Sequence, residues 1–279
     1  MPIAEYDAQT LLAHAVSLAA EAAELVVAQR ITAVGQVTTK STETDVVTAA
    51  DRASEQLIRT RLADLWPDAH VLGEEEGGAE ATDGLVWVVD PIDGTVNYLY
   101  GAPSYAVSVA AQVDGVSVAG AVVEPATGRT WTAARGQGAW LDGRPLAVSD
   151  AGRLELALVA TGFAYDAGRR GRQARMWAEL LPRVRDIRRG GSAALDLCAV
   201  AAGWVDAHVE HGLNRWDWAA AALIAQEAGA VLRLPYSAKE AADLAGLDDG
   251  LGADAVLAAA PGIAEALRGA LVAAGAGGV

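Results

Sequence analysis

The chain has 279 residues, of which 52% are hydrophobic and 20% are charged, and this composition excludes an intrinsically disordered chain. The length is at the upper end of the range for one hydrophobic core, so one large or two closely packed domains are expected. Lys and Arg number 21 and Asp and Glu number 36, which gives a net charge of −15. Because such a chain repels phosphate backbones and anionic lipids, we expect no general nucleic-acid binding and no membrane binding.

The single cysteine, Cys198, excludes an intramolecular disulfide and suits a reducing compartment. It lies in the apolar run 193–202, which favours a core position over a catalytic thiol. The N-terminal residues lack a basic region followed by an apolar block, and no uncharged apolar stretch is long enough to span a bilayer. We therefore expect a soluble, cytoplasmic protein.

The first half of the chain combines two helices with a group of strands. Apolar residues recur at helical spacing over 8–30 and over about 50–64. The β-branched run 85–89 is typical of a strand that is buried on both faces, and we expect it to end at Asp90. Turn residues separate further predicted strands at 105–113, 116–123 and 130–134.

After about residue 145 the predicted strands and helices alternate, which indicates layered α/β packing. The Gly- and Pro-containing run 142–145 is the predicted boundary between an N-terminal α+β subdomain, 1–145, and a C-terminal α/β subdomain, 146–279. Strands are predicted at 156–161, 184–188, 205–209, 230–234 and 255–259, and helices at 170–181, 192–202, 217–228 and 262–273.

The most informative segment follows the predicted buried strand. Asp90 and Asp93 are three residues apart across Pro91, so their carboxylates are expected to converge at the edge of the sheet. Two close carboxylates repel each other unless cations neutralise them, and oxygen ligands without Cys or His favour Mg²⁺. Gly94 and Thr95 follow where a helix is expected to begin, and backbone N–H groups at a helix start can bind phosphate.

Other acidic residues have two interpretations each when they are read alone. The run Glu74–Glu76 follows an apolar segment and is either a solvated acidic turn or a source of one more metal ligand. Asp217 lies at or near the start of a predicted helix, where Asp is a favoured N-cap. Asp45 and Asp51 could cap the helix at 50–64. The four histidines, His14, His70, His208 and His211, form no recognisable ligand set and are interpreted as structural or surface residues.

These segments together resemble the inositol monophosphatase family, which belongs to a wider group of metal-dependent, lithium-sensitive sugar and nucleotide phosphatases. The similar segments occur in the family's order over residues 40 to 230. They are Asp45-Val46-Val47-Thr48-Ala49-Ala50-Asp51, Gly73-Glu74-Glu75, Asp90-Pro91-Ile92-Asp93-Gly94-Thr95, Gly191-Ser192-Ala193-Ala194, and Trp216-Asp217 with the Ala-rich helix that follows.

The resemblance implies an α/β (α+β) fold, a layered α-β-α-β-α sandwich of the inositol monophosphatase and fructose bisphosphatase type, and a homodimer. It implies that two or three Mg²⁺ ions are held by Glu74, Asp90, the Ile92 carbonyl, Asp93 and Asp217. Thr95 and Asp51 would orient or deprotonate the attacking water, and Glu74 is a rival for that role. The implied substrate-binding residues are Asp93, Gly94, Thr95, Gly191, Ser192, Ala193, Glu210 and Asp217, with Glu210 accepting polyol hydroxyls. The N-terminal subdomain would carry most metal ligands, and the C-terminal subdomain would complete the pocket.

The resemblance also implies a reaction, the hydrolysis of a small phosphate monoester. The continuation 95–101 is most similar to the branch that acts on myo-inositol 1-phosphate. Histidinol phosphate, fructose 1,6-bisphosphate, nucleotide 3′-phosphates and NADP are alternatives, because the metal motifs are shared.

Eight arginines are concentrated in the stretch 169–189 of this otherwise acidic chain. A solvated face or a salt-bridged dimer contact is one interpretation, and recognition of a polyphosphate or a protein partner is another. Some bacterial members of the family associate with transcription complexes, so a regulatory binding protein is the second class of hypothesis.

Overall fold

A computed structural model describes residues 6–33, 37–40, 46–78, 83–235 and 249–279 of the chain. Within them the helices are α1 (Ala8–Ala33), α2 (Ala49–Leu65), α3 (Thr95–Tyr100), α4 (Ala167–Leu180), α5 (Ala193–Ala201), α6 (Arg215–Glu227) and α7 (Pro261–Ala273). The strands are β1 (Val37–Thr39), β2 (Val46–Thr48), β3 (His70–Gly73), β4 (Leu85–Asp93), β5 (Ala106–Val113), β6 (Val116–Val123), β7 (Thr130–Ala134), β8 (Ala139–Leu141), β9 (Arg144–Pro145), β10 (Leu158–Thr161), β11 (Asp186–Arg188), β12 (Ala207–His211), β13 (Val231–Arg233) and β14 (Ala255–Ala259).

Two large sheets form the framework, beside the two-stranded pair β1-β2. The first has seven strands in the sequential order β3 to β9, with β3 and β4 parallel and the other neighbours antiparallel. The second has five strands in the order β11-β10-β12-β14-β13, and β10 is parallel to both of its neighbours. The first sheet ends at β9, close to the predicted subdomain boundary, which itself stays a prediction.

The side chains alternate between two cores along the central strand β4. Trp87 and Val89 pack with α1 and α2 on one face of the seven-stranded sheet. Val86 and Val88 face the opposite way and pack with α5 and α6 between the two sheets. A third core joins the outer face of the five-stranded sheet to α4 and α7. The order of layers is therefore α-β-α-β-α, which confirms the predicted fold class.

Small residues allow α6 to lie between the two sheets. A β-carbon on Gly120 of β6 would lie 2.9 Å from the Cα atom of Ala220, so glycine is needed for this close approach. Beside it, the Ser117 hydroxyl donates to the Ala219 carbonyl over 2.8 Å. The alanine-rich sequence of α6 therefore has a packing role, because it brings the beginning of this helix close to the end of β4.

The helix α1 is long and apolar enough, over Ala8–Ile31, to qualify as a candidate membrane span by length and composition. Glu21 and Glu24 interrupt this run, so it is not an uncharged stretch and was not predicted from the sequence as a membrane span. In the structure Leu11, Leu18 and Val26 of α1 are buried against the seven-stranded sheet, so α1 is a core helix of this fold.

Several predicted boundaries were wrong by a few residues. The strand predicted to end at Asp90 continues to Asp93. The strand predicted at 205–209 is Ala207–His211, so Glu210 lies within a strand and not after one. The strand predicted from 156 begins at Leu158, because a 3₁₀ turn occupies Leu154–Leu156. The helix predicted at 170–181 is Ala167–Leu180, and it begins after its N-cap Asp166, which accepts the Arg169 N–H over 2.7 Å. The short strands β8 and β9 were not predicted.

Candidate active site

A cleft of about 430 Å³ opens where the end of β4 meets the beginnings of α5 and α6. Both large sheets contribute to it, because β4 belongs to the seven-stranded sheet and Glu210 comes from β12 of the five-stranded sheet. The cleft therefore exists only when the two halves of the chain are packed together. Cys198 is fully buried away from its lining, and burial raises the pKa of the thiol well above its usual value, which confirms the predicted core position.

Three carboxylates meet in this cleft. Asp90, Asp93 and Asp217 each have one carboxylate oxygen atom in this group, and these three atoms lie within 4.8 Å of one another. In a regular strand, residues 90 and 93 would point to opposite faces. The pairing of β4 with β5 shifts register between these two residues, and this irregularity aims both side chains into the cleft.

Asp93 is fixed by the beginning of α5. Its Oδ2 atom accepts the Ser192 hydroxyl at 2.5 Å and the Ala194 N–H at 2.7 Å. On the same side, a β-carbon on Gly94, whose φ is +93°, would lie 3.1 Å from the Gly191 carbonyl oxygen. The Gly191–Ser192 segment thus binds the end of β4 directly, and both residues line the cleft together with Ala193.

Asp217 lies in the first turn of α6, after the N-cap residue Asn214. Its carboxylate accepts the Asn214 N–H at 2.6 Å. Asp217 is therefore near the N-cap, as predicted, and its side chain completes the capping box from three residues further along. The same carboxylate also faces Asp90 and Asp93, so the capping and cleft interpretations both hold.

Thr95 connects the cleft to the beginning of α2. Its hydroxyl oxygen lies 3.0 Å from Asp51 Oδ1 and 3.0 Å from the Ile92 carbonyl oxygen. The other oxygen of Asp51 accepts the Thr48 N–H at 2.8 Å and the Thr48 hydroxyl at 2.5 Å. Asp51 is therefore both a capping-box residue of α2 and a partner of Thr95. Asp45, the other predicted capping residue, lies outside the described residues.

Glu74 lines the cleft beside Asp90, and its charge contributes to the raised pKa of that residue. It is outside the set of three carboxylates that lie within 4.8 Å. Its Oε1 atom forms an ion pair with Lys40 Nζ over 2.8 Å, and Lys40 also pairs with Glu75 over 2.6 Å. Sequence reasoning did not identify Lys40, because no pattern linked the β1–β2 region to the acidic turn.

The cleft lining also contains Glu210 and a further carboxylate, Asp196. Burial raises the pKa of Glu210 to about 8 and that of Asp196 to about 7, and Arg189 partly offsets both shifts. Asp196 was missed by the sequence analysis, although it lies one helical turn beyond the cleft residue Ser192. Arg169 and Arg189, which belong to the arginine-rich stretch, also line the cleft, and Arg169 forms an ion pair with Asp254 over 2.5 Å.

Burial and mutual repulsion raise the pKa values of the three central carboxyl groups. The shift is large for Asp90 and Asp217 and brings Asp93 to about 6. When cations bind beside these three carboxyl groups, they stabilise the ionised form of each group. Its donors are all oxygen atoms, which fits a hard divalent cation such as Mg²⁺ better than a soft metal.

The histidines do not add to this set. His208 is fully buried and lies 3.8 Å from Glu210, and burial lowers its pKa to about 3, so it is neutral near pH 7. His211 lies on the cleft wall, where its Nε2 atom contacts the Leu251 carbonyl at 2.8 Å. His14 Nδ1 accepts the Trp66 indole N–H at 3.0 Å.

Comparison with known proteins indicates the same protein family as the sequence motifs. The family model of the inositol monophosphatase family matches residues 7–272. An inositol-1-monophosphatase of Mycobacterium leprae is 50% identical over 97% of this chain and 96% of its own length. A protein named Nus factor SuhB from Escherichia coli K12 is 40% identical over 67% of this chain and 71% of its own length. The solved structure of Mycobacterium tuberculosis SuhB matches with a TM-score of 0.81 and 43% identity, covering 97% of this chain and 99% of that one.

Proposed function

Because this chain belongs to the inositol monophosphatase family and is a phosphatase of that metal-dependent family, we propose that it is a Mg²⁺-dependent phosphomonoesterase that hydrolyses myo-inositol 1-phosphate. The observation that carries this proposal is the set of three carboxylates, two buried and one half-buried, in the lining of a polar cleft. The products are inositol and inorganic phosphate.

Five groups of this chain would hold the cations: the carboxylates of Glu74, Asp90, Asp93 and Asp217 and the carbonyl oxygen of Ile92. Two or three Mg²⁺ ions, when bound, would supply positive charge for the phosphate and lower the pKa of a coordinated water. The protein's own contribution is to hold these oxygen atoms at fixed positions, and Ser192 and Ala194 do so for Asp93.

Thr95 and Asp51 would orient the attacking water and receive its proton. The Thr95 hydroxyl lies at hydrogen-bond distance from Asp51, so a proton can pass from water to Thr95 and from Thr95 to the carboxylate. Burial raises the pKa of Asp51, which favours acceptance of that proton. Glu74 is the alternative base. The backbone N–H groups of Gly94 and Thr95 would bind the phosphate oxygens.

The polyol would occupy the part of the cleft beside Glu210, which would accept its hydroxyls. Gly191, Ser192 and Ala193 also line the cleft. Histidinol phosphate, fructose 1,6-bisphosphate, a nucleotide 3′-phosphate and NADP are the competing substrates. A phosphate-release screen over all five compounds, with and without Mg²⁺, tests the choice, and preferred hydrolysis of any of the last four would replace inositol 1-phosphate.

The metal-binding carboxylates give the first prediction. We expect Asp90→Asn and Asp93→Asn each to lower kcat/KM on the order of a thousandfold or more, because a ligand charge is lost, while the fold stays intact. Phosphate release and circular dichroism measure the two effects. Asp64→Asn is the matched control, since Asp64 is exposed on α2 and is absent from the cleft lining. Near-normal turnover by both cleft variants would contradict the metal assignment.

The proposal includes inhibition by lithium, a homodimer and a cytoplasmic location. A regulatory, protein-binding role through the stretch 169–189 is the second candidate, and the relatives named Nus factor SuhB support it. Within this stretch several arginines have intramolecular partners: Arg169 pairs with Asp254, Arg188 pairs with Asp186, and Arg185 donates to the Leu156 carbonyl. Phosphate release that requires Mg²⁺ would favour the enzyme.

A further inference from the structure

Glu55 is a buried carboxylate behind the cleft that the proposed mechanism does not use. It lies on α2 with 0% exposure and is absent from the cleft lining. Its Oε2 atom accepts the backbone N–H of Glu75 over 2.8 Å, and its Oε1 atom accepts that of Glu76 over 3.0 Å. One side chain therefore binds two successive backbone N–H groups directly after Glu74.

The turn that contains Glu74 is built around this carboxylate. The Gly73 N–H donates to the Gly77 carbonyl over 3.0 Å and closes the turn after β3. A β-carbon on Gly73 would overlap the Glu55 carboxylate, so glycine is required at this position. The residues on both sides of Glu74 are thus in direct contact with Glu55.

Arg59, one helical turn further along α2, completes the arrangement. Its Nε atom donates to Glu55 Oε1 over 2.8 Å, and its two other nitrogen atoms donate to the Val71 carbonyl at 3.3 Å and the Gly77 carbonyl at 2.5 Å. Arg59 thereby neutralises the buried charge of Glu55, and it joins both ends of the turn to α2.

Fixing this turn matters because Glu74 is held close to like charges. It lies beside Asp90, and the negative charges of Glu74, Asp93 and Asp217 all disfavour ionisation of Asp90. This repulsion favours rotation of Glu74 away from the cleft, and its side chain is 22% exposed. The ion pair with Lys40 opposes this rotation at the carboxylate, and the contacts of Glu55 and Arg59 fix the backbone from which the side chain extends.

We propose that Glu55, together with Arg59, is a positioning pair that holds Glu74 at the metal site and so sets the affinity of the protein for Mg²⁺. This inference rests on the proposed function only in taking Glu74 as a metal ligand. Neither Glu55 nor Arg59 is among the residues that line the cleft. Their effect passes through the backbone of residues 73–77.

The test is Mg²⁺ binding to the full-length chain without substrate, measured by calorimetry for the wild type and for Glu55→Gln. The amide cannot accept two N–H groups and an arginine, so we expect the dissociation constant for Mg²⁺ to rise about 10- to 100-fold. At saturating Mg²⁺ we expect kcat and KM close to the wild-type values, because the ligands themselves are intact. Glu21→Gln is the matched control, since it makes the same chemical change in an exposed ion pair with Arg61 of α2.

A double-variant cycle separates positioning from a general effect on the fold. In a Glu74→Gln background, Glu55→Gln should raise the dissociation constant by less than about threefold, because the residue it positions is already altered. An equally large rise in both backgrounds would overturn the proposal. So would an unchanged affinity in a folded Glu55→Gln variant.

Two further outcomes are also decisive. If Glu55→Gln does not fold, Arg59→Lys is measured instead, because lysine cannot keep all three bonds of the guanidinium. An Mg²⁺ affinity equal to that of the wild type in this variant overturns the role of the pair. Failure of the wild type itself to bind Mg²⁺ would contradict the proposed function, whereas wild-type binding that is unaffected by these variants would contradict only the positioning role.

Discussion

Two carboxylates, Asp217 in the cleft lining and Asp51 in contact with the cleft residue Thr95, also stabilise the beginnings of helices. Asp51 accepts the Thr48 N–H in the first turn of α2, and Asp217 accepts the Asn214 N–H in the first turn of α6. An acidic residue in the first turn is favoured by the helix dipole, and at this position its side chain reaches past the helix end. Each carboxylate therefore caps a helix and also either lines the cleft or contacts a residue that does. Sequence patterns indicated capping and a functional role as alternatives, whereas the structure shows that a capping side chain can also lie at the cleft. The functional roles of Asp51 and Asp217 stay predictions.

Glu210 gives a prediction at the scale of one residue. If its carboxyl group binds an inositol hydroxyl, Glu210→Ala should lower kcat/KM for inositol 1-phosphate by about ten- to a hundredfold, which is roughly 1.5 to 3 kcal/mol. Turnover of p-nitrophenyl phosphate should stay almost normal, because that ester has no polyol hydroxyl. Steady-state kinetics on both substrates measure the contrast.

Glu265→Ala is the control for this experiment, since Glu265 is an exposed residue paired with Arg268 on α7. An equal loss on both substrates would move Glu210 from the polyol region to the metal site. No loss on either substrate would remove it from the site altogether.

Among single residues, the sequence identified those that lie within recognisable motifs. Asp90, Asp93 and Thr95 could be predicted because they are close together in one segment. Lys40 and Glu55 could not, because their partners at Glu74 and Glu75 are 34 and 20 residues away along the chain. Their contacts depend on how β1 and α2 pack beside the acidic turn. The hydrophobic periodicity of the sequence does not predict this packing.

At the scale of elements, hydrophobic periodicity predicted α1, α2 and the inner strands well, because their apolar faces must match the cores. The continuation of β4 beyond Asp90 was missed. The β-branched run stops at Val89, and the strand instead continues through Pro91 with a shift in register against β5. That irregularity aims Asp90 and Asp93 to one side, so the unpredicted feature of the strand is the one that forms the site.

The contact between α6 and β6 gives a prediction at this scale. Gly120→Ala would force the helix away from the sheet, because the added β-carbon would lie 2.9 Å from the Cα atom of Ala220. We expect a loss of about 1 to 3 kcal/mol in the free energy of unfolding. Because α6 carries Asp217, we also expect a lower affinity for Mg²⁺. Urea denaturation and calorimetry measure the two effects.

Gly152→Ala is the matched control, since no atom lies within 4 Å of the position that its β-carbon would occupy. Equal stability of the two variants would show that the helix and sheet can separate without cost. A loss of stability with an unchanged affinity for Mg²⁺ would separate the packing role of α6 from its role in positioning Asp217.

At the scale of the whole molecule, the cleft joins the two sheets through polar contacts. Asp93 from the first sheet is held by Ser192 and Ala194 of α5, while Glu210 comes from the second sheet. The order of motifs along the chain predicted which residues take part, but it contains no distances. It therefore left out Asp196, which only the packing of α5 against β12 brings beside Glu210.

The burial of Asp196 and Glu210 has a consequence for the stability of the whole fold. Folding raises the pKa of Asp196 from 3.8 to about 7 and that of Glu210 from 4.5 to about 8. Between the unfolded and folded pKa values of each group, the folded state binds more protons than the unfolded state. The contribution of each group to the free energy of unfolding is therefore fully present below its unfolded pKa, and it is lost as the pH rises through its folded pKa. His208 has the opposite sign, because folding lowers its pKa from 6.5 to about 3, and its contribution is complete above about pH 6.5.

We therefore expect the free energy of unfolding, measured with urea in the presence of EDTA, to fall between pH 6.5 and 8.5. The part of the fall due to these two carboxyl groups should be on the order of 1 to 3 kcal/mol, since one pKa unit corresponds to about 1.4 kcal/mol. The double variant Asp196→Asn/Glu210→Gln keeps the shape of both side chains but cannot ionise, so its stability should change less over this range. The exposed pair Asp64→Asn/Glu265→Gln should retain the full wild-type slope. If the buried double variant also keeps that slope, the two carboxyl groups are ionised in the folded protein at neutral pH, and this part of the cleft then carries two negative charges.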